Sequence, residues 1–311
     1  MKPKIAQTLS LTLMVFLLFT WSASAAGPDG PSTTAGVDIL NLGIGARASA
    51  MGNAFLSLAN DATAIYWNPS GLVQLTDKQL VFSHALWLSD TENEYLAFTF
   101  PLGNRMVVGG SVMYFHMGNT LGYDEQDQPT SYFTAYDVVA SLALASYLSS
   151  NLSWGLTFKG IQEGLENQKA QSWAVDLGMR YSYRRFSVGA VMRNLGSSMR
   201  FDRQSSPLPA TFSSGLAVRV LDNMIITSDI NARDFSHPSL SQGVEYCYGG
   251  QIYLRTGYEY KNEGSHNLSS TITTFGGGLK ISALQFDYTF SSFGIMGNTH
   301  NFTFSYHFGK F

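Results

Sequence analysis

A set of charged side chains falls at alternating positions within otherwise apolar segments: Asp137, Lys159, Asp176, Arg180, Arg193, Arg219, Asp229, Glu245, Arg255, Glu259, Lys280 and Asp287. If those segments are strands, the charges share one face. Two kinds of chemistry fit. They could line a charged channel, or they could form a paired network that packs an interior, because charges removed from water need partners. The paired network is the expectation adopted here, with Asp137, Asp176, Arg180, Arg193, Arg219, Arg255 and Asp287 as members.

Other chemistry finds little support. The six histidines include His84, His116 and His237, which lie far apart, and no HxxxH or HExxH spacing occurs, so no metal site is expected. A spatial Ser-His-Asp triad stays open, but no GxSxG nucleophile elbow is present, and no enzyme is expected. Gly276-Gly277-Gly278 lacks the lysine spacing of a phosphate loop and lies within strand alternation, which points to strand bending or close packing. The single cysteine, Cys247, rules out an intramolecular disulfide and a CxxC site. No cofactor is implied.

Composition narrows the class. The chain has 311 residues, of which 13% are charged, about half the roughly 25% usual for soluble domains. Aromatics reach 14% and there are 30 glycines. This mixture, without long apolar runs, suits a β-barrel whose strands are apolar on one face only. A net charge of -3 and the lack of a basic run give no sign of a nucleic-acid partner.

The elements that would position these residues follow in order. Lys2 and Lys4 precede an apolar run, Leu9 to Trp21, which is shorter than the about 20 residues a bilayer span needs. With Ala23-Ser24-Ala25 after it, the stretch 1–25 reads as a secretory signal peptide cleaved after export. Residues 26–75 form a leader and a small plug, and 76–311 form the barrel. The leader, Gly27 to Thr34, carries two prolines and two glycines. The plug stretch, Gly43 to Leu72, has neither strand nor amphipathic-helix periodicity. A short helix is expected at Ala46 to Met51. A second is expected over Ala62 to Trp67, capped by Asp61 and stopped before Pro69, with Gly71 releasing the chain into the first strand. An ordinary N-terminal subdomain is the alternative reading of this stretch.

From Asp77 onward, alternation broken by turn residues predicts about fourteen strands: 77–89, 93–101, 104–117, 134–148, 150–164, 169–183, 185–196, 209–219, 222–233, 239–248, 250–260, 270–282, 283–292 and 299–309. The last is the clearest. Phe302, Phe304, Tyr306 and Phe308 face one way, and Asn301, Thr303, Ser305 and His307 the other. A soluble sandwich shows similar alternation. Segment length and the aromatics near segment ends, such as Tyr181, Tyr258 and Tyr306, favour a transmembrane antiparallel barrel in contact with lipid. Gly118 to Phe133 and Gly196 to Leu208 read as long polar loops. The first should face outside if the first strand starts in the periplasm.

The run GARASAMGNAF followed by DATAIYWNPSGL resembles the opening of the PorV/PorQ family of outer-membrane proteins, which is related to the FadL long-chain fatty-acid transporters. The shared hatch pattern falls on Ala59, Asp61, Ala62 and Asn68-Pro69-Ser70-Gly71, with Ser70 where the FadL type usually has Ala. Phe286-Asp287-Tyr288, Gly294 and Gly297-Asn298-Thr299-His300 extend the resemblance toward the end of the chain. It implies an all-β outer-membrane barrel of a Gram-negative bacterium with a hatch marked by Gly45, Ala46, Arg47, Met51, Gly52, Asp61, Ala62, Tyr66, Trp67, Asn68, Pro69 and Gly71. The aromatic end of the chain, through Phe311, resembles the strand by which the barrel-assembly machinery recognises such proteins.

The resemblance implies two competing roles. One is a non-enzymatic component of protein export or surface attachment of the type IX kind, with secretion components or exported cargo as partners. The other is a FadL-like channel for hydrophobic small molecules such as a fatty-acid-like ligand, with inward residues Met113, Phe115 and Val139, on the side of Ser111, near the plug. A purely structural barrel is a third option. Arg47 and Asp61 are expected to join the lumen network.

Overall fold

The last strand closes on the first. In this computed structural model β1 (Gln79–Leu86) pairs antiparallel with the strand Asn298–His307, placing Phe82 opposite Phe304 and Leu80 opposite Tyr306. Residues 38–118, 120–123, 126, 128–165, 168–201, 204–233, 238–262 and 269–309 are described. The expected signal peptide, the leader and Phe311 lie outside them.

The strands after β1 are β2 (Thr91–Leu102), β3 (Met106–Met117), β4 (Thr120–Tyr123), β5 (Pro129–Phe133), β6 (Ala135–Tyr147), β7 (Leu152–Leu165), β8 (Gln168–Tyr183) and β9 (Phe186–Gly196). They continue with β10 (Met199–Phe201), β11 (Gln204–Ser206), β12 (Thr211–Leu221), β13 (Met224–Arg233), β14 (Pro238–Tyr248), β15 (Ile252–Asn262), β16 (Ser269–Ile281), β17 (Leu284–Ser292) and β18 (Asn298–His307). Fourteen of them form one closed antiparallel barrel; β4–β5 and β10–β11 are separate two-stranded hairpins. Barrel strand ends differ from the expected ones by no more than about three residues. Closure excludes the sandwich alternative.

Alternation explains the wall. In β8, Ala174, Asp176, Gly178 and Arg180 are buried toward the lumen, while Trp173, Leu177 and Met179 are exposed outside. The outer surface carries Leu142, Leu254, Phe275, Phe286 and Phe304, with Leu142 71% exposed. An apolar surface on this scale has no stable contact with water and calls for lipid. No helix among the described residues is long and apolar enough to cross a membrane.

Tight turns such as 103–105, 222–223 and 282–283 lie at the end where β1 begins and β18 finishes. The opposite end carries the longer connections, including Gly118–Phe133 as the strand order requires. The two expected as long polar loops, 118–133 and 196–208, are not plain loops, since each holds a hairpin. Met199 and Leu208 bury themselves and join the core cluster. That burial explains the difference from the expected polar loops.

Two short helices, α1 (Ala46–Ala50) and α2 (Ala64–Trp67), and a 3-10 turn at Pro69–Gln74 form the plug with a further 3-10 turn at Asp38–Asn41. Two expectations are corrected here. The second helix starts at Ala64, because Asp61 accepts the Thr63 N–H at 3.0 Å and its carbonyl accepts the Ala64 N–H at 3.0 Å, forming a turn before the helix. Gly71 lies inside the 3-10 turn and does not release the chain; β1 begins at Gln79.

Candidate functional site

The plug is almost wholly buried inside the barrel. Ala46, Met51, Phe55, Ala62, Ile65, Asn68 and Leu72 are all shut from solvent. Its aromatic side chains pack on each other, Tyr66 edge-to-face with Trp67 at 5.1 Å and Phe55 with Trp67 at 6.3 Å. Their polar tips are satisfied locally, as buried Tyr and Trp require. The Tyr66 hydroxyl donates to the Leu42 carbonyl at 2.6 Å, and Trp67 Nε1 donates to the Ile44 carbonyl at 2.9 Å. Burial pushes the Tyr66 phenol up to about 12, with the Arg193 guanidinium opposing that shift.

Asn68 holds the plug turn together. Its Oδ1 accepts from Ser70 N at 3.2 Å and Ser70 Oγ at 2.7 Å, and its Nδ2 donates to the Leu56 carbonyl at 3.2 Å. Pro69 then occupies the first position of the 3-10 turn, where its missing N–H costs nothing. The Asn-Pro-Ser-Gly motif is therefore a buried turn that docks on the wall. Ser153 Oγ donates to the Ser70 carbonyl at 3.0 Å, and Thr157 Oγ1 to the Ile65 carbonyl at 3.1 Å.

An ion chain crosses from plug to wall. Arg47 grips Glu245 with Nε and Nη2, at 2.8 and 2.9 Å, and its Nη1 reaches Asn60 at 2.7 Å and Asp61 at 3.3 Å. Glu245 also meets Arg255 Nε at 2.7 Å, and Arg255 Nη1 meets Asp287 at 2.6 Å. Burial pulls the Arg47 guanidinium down, but Glu245 and Asp61 reverse that and leave it raised. Alternating signs offset desolvation along the chain, which is how buried charges persist. Both expected plug members of the lumen network are thus in it.

Further pairs pin other parts of the plug. Asp229 Oδ2 accepts the Leu56 N–H at 2.8 Å, Glu259 accepts from Asn53 at 2.9 Å, and Arg180 Nε donates to the Ser57 carbonyl at 2.9 Å. Lys159 pairs with Asp176 at 2.7 Å, and Arg193 lies 5.5 Å over the Tyr66 ring. Two expected members stand apart. Arg219 is exposed near the β12–β13 turn, beyond the plug, although it shares the inward face of Ala217. Asp137 is half-buried opposite Glu163 and joins no ion pair among the described residues.

Three features escaped the sequence reading. Gly52 has φ 62, a left-handed conformation, and lies against Gly257, where an added Cβ would come 2.0 Å from Gly52 N. A Cβ on Gly155 would come 2.3 Å from the Pro69 carbonyl carbon, so wall glycines act as sockets for the plug backbone. The second feature is a bulge in β9, where Arg193 and Asn194 together oppose Asp176. Asn194 has φ 61; its N–H donates to Asp176 Oδ1 at 2.8 Å and its Oδ1 accepts from Lys159 at 2.8 Å. Paired inward glycines were the readable signal for the sockets; the bulge left none.

The third feature corrects the reading of the histidines. His84 on β1 and His116 on β3 flank Glu94 on β2, on the outer face at the long-connection end. His84 Nδ1 stands 3.3 Å from Glu94 Oε1, and His116 Nε2 stands 3.6 Å from Glu94 Oε2 and 3.5 Å from Glu92 Oε2. Register brings them together, since His84 pairs with Glu94 and Glu92 with His116.

The plug leaves little open space. An enclosed gap of about 10 Å³ lies among Leu40, Tyr66, Tyr95, Ser111, Met113, Val139, Ser141 and Lys159, room for about one water. Met113, Val139 and Ser111 face inward as expected, and Phe115 packs on the same core. A polar recess of about 190 Å³ lies at the tight-turn end, beside Arg47, Asn60, Asp61, Lys280 and His307. Among the described residues the plug fills most of the lumen, leaving an apolar-walled gap against β3 and β6 and a polar recess at the tight-turn end.

The model of the uncharacterised protein family UPF0164 matches residues 25–248. The chain belongs to UPF0164. No curated protein matches it in sequence. The UPF0164 barrel is similar in fold to the toluene transporter TodX of Pseudomonas putida, at 16% identity and a TM-score of 0.68, covering 85% of this chain and 98% of that one. It is similar to the monoaromatic hydrocarbon channel CymD at 13% identity and a TM-score of 0.66, covering 86% and 98%. A Pseudomonas aeruginosa FadL homologue follows at 11% identity and 0.63, covering 84% and 98%. The FadL-like half of the resemblance is thereby shown as a fold.

Proposed function

We propose that this chain is an outer-membrane channel for small hydrophobic molecules, with the plug as its gate. The observation that carries this reading is the seal. A fourteen-strand barrel with an apolar outer wall is filled by a plug that packs its apolar side chains on the wall and is fixed in register by buried ion pairs. Such contacts hold one position and release in a discrete step. The apolar side of the plug faces Met113 and Val139, where an apolar solute would displace little ordered water. The similar folds of TodX, named a toluene transporter, and CymD, named a monoaromatic hydrocarbon channel, support uptake as the class. Export through a cleaved signal peptide and residence in the outer membrane belong to the same proposal.

The PorV/PorQ reading, a part in type IX protein export, rests on the sequence resemblance of the hatch and of residues 286–300. Here the hatch motif is accounted for by packing in the lumen, so uptake is the stronger reading. No enzyme activity is proposed.

The test is uptake of labelled toluene and labelled sucrose by cells that make the protein, compared with cells that do not. Faster toluene entry with unchanged sucrose entry supports the channel. Equal toluene entry in both, with exported proteins co-purifying on the barrel, overturns it in favour of the export role.

A further inference from the structure

The outward face near the long-connection end holds a group of ionisable side chains on β1, β2 and β3. His84, Glu92, Glu94 and His116 sit on three adjacent strands and point the same way. Ligand atoms of His84, Glu92 and Glu94 all lie within 4.8 Å of one another. His116 stands against both carboxylates, with its ring stacked on Tyr114 at 5.0 Å.

Cross-strand hydrogen bonding does not use this cluster up. One oxygen of Glu94 meets His84, but Glu94 Oε2 is shut from solvent and has no hydrogen-bond partner. Its nearest cation, His116 Nε2 at 3.6 Å, is beyond hydrogen-bond reach. A carboxylate oxygen shut from solvent with no hydrogen bond, and with a second carboxylate sharing its one imidazole neighbour, is costly unless a further positive charge sits there.

We infer that His84, Glu92 and Glu94 bind a divalent transition-metal ion of the zinc class on the outer rim of the barrel. Imidazole nitrogen with carboxylate oxygen is a borderline donor set, suited to zinc and its neighbours and poorly matched to magnesium or calcium. His116 is the positioning residue; it faces the carboxylates and holds them toward the ion, as second-layer groups around metal sites do. The ion would tie β1 to β2, with β3 joined to it only through His116, next to the seam where β1 meets β18.

The experiment uses the full chain without a polyhistidine tag, folded in detergent, stripped with chelator and titrated with Zn²⁺ by calorimetry. One saturable equivalent per barrel is expected. His84→Ala and the isosteric Glu94→Gln should each weaken binding about tenfold or more, and His116→Ala should weaken it less than they do. His307→Ala, at the opposite, tight-turn end of the barrel, should change nothing. Folding of each variant is checked by heat-modifiable gel mobility, and Glu94→Gln carries the test if the alanine variant does not fold. No saturable Zn²⁺ binding overturns the site. So does equal affinity in the folded variants, or full displacement of Zn²⁺ by millimolar Ca²⁺.

Discussion

Arg47 and Glu245 lie 198 positions apart in the chain, yet share two parallel hydrogen bonds of 2.8 and 2.9 Å between plug and wall. This fork is the most directional link holding the plug in place. Removing Arg47 leaves Glu245 buried and faced only by Arg255. Arg47→Ala should therefore cost about 3–5 kcal/mol, the usual cost of stranding one half of a buried pair. Urea unfolding of the detergent-folded barrel measures it; an unchanged midpoint would contradict the structural role. Arg47→Lys keeps the charge but not the fork, and should fall between the two.

The glycine sockets give a paired prediction. Gly257→Ala drives a Cβ to 2.0 Å from Gly52 N, a backbone atom that has no room to retreat. Overpacking of this kind costs about 1–3 kcal/mol and should unseat the plug locally. Planar-bilayer recordings should show raised or flickering conductance. Gly160→Ala, where a Cβ meets nothing within 4 Å, is the control and should conduct like the wild type.

Much of this architecture was legible, for identifiable reasons. Side chains alternate along strands, so Asp176, Arg180, Arg255 and Asp287 could be placed on the lumen face from parity alone. Parity says nothing of height, and so Arg219 was grouped with residues that lie at plug level when it sits at the rim. The small residues of Gly43 to Leu72 announced close packing, but not which wall glycines receive it. His84 and His116 looked unrelated because the registers of β1 on β2 and β2 on β3 bring them together, and register is a property of the closed sheet.

Tyr66 gives a prediction in pH. Its phenol is held neutral up to about 12, against an ordinary value of 10.0. The unfolded chain therefore loses this proton first, and folding stability tied to Tyr66 is fully present below pH 10 and declines as pH rises toward about 12. Tyr66→Phe should flatten that decline. Equilibrium unfolding at stepped alkaline pH, compared between wild type and variant, measures it; parallel curves would mean that Tyr66 is not the group responsible.

The gap beside the plug lets the proposed gating role be tested with an apolar ligand. At about 10 Å³ it cannot take an aromatic ring, but two of its walls, Met113 and Val139, are apolar side chains that can be cut back. Apolar cavities of roughly 150 Å³ stay dry and bind benzene. Met113→Ala with Val139→Ala moves the gap toward that size at a cost of about 2–5 kcal/mol for the larger deletion. If this is where an apolar solute meets the plug, toluene should restore part of the lost stability, because a ligand that binds only the folded state stabilises it by mass action. The melting temperature of the double variant should rise with toluene concentration while that of the wild type stays nearly flat. A flat response in both would place the solute path elsewhere on the plug, since the cavity would then be filled by collapse of Leu40 and Tyr66 instead of by ligand.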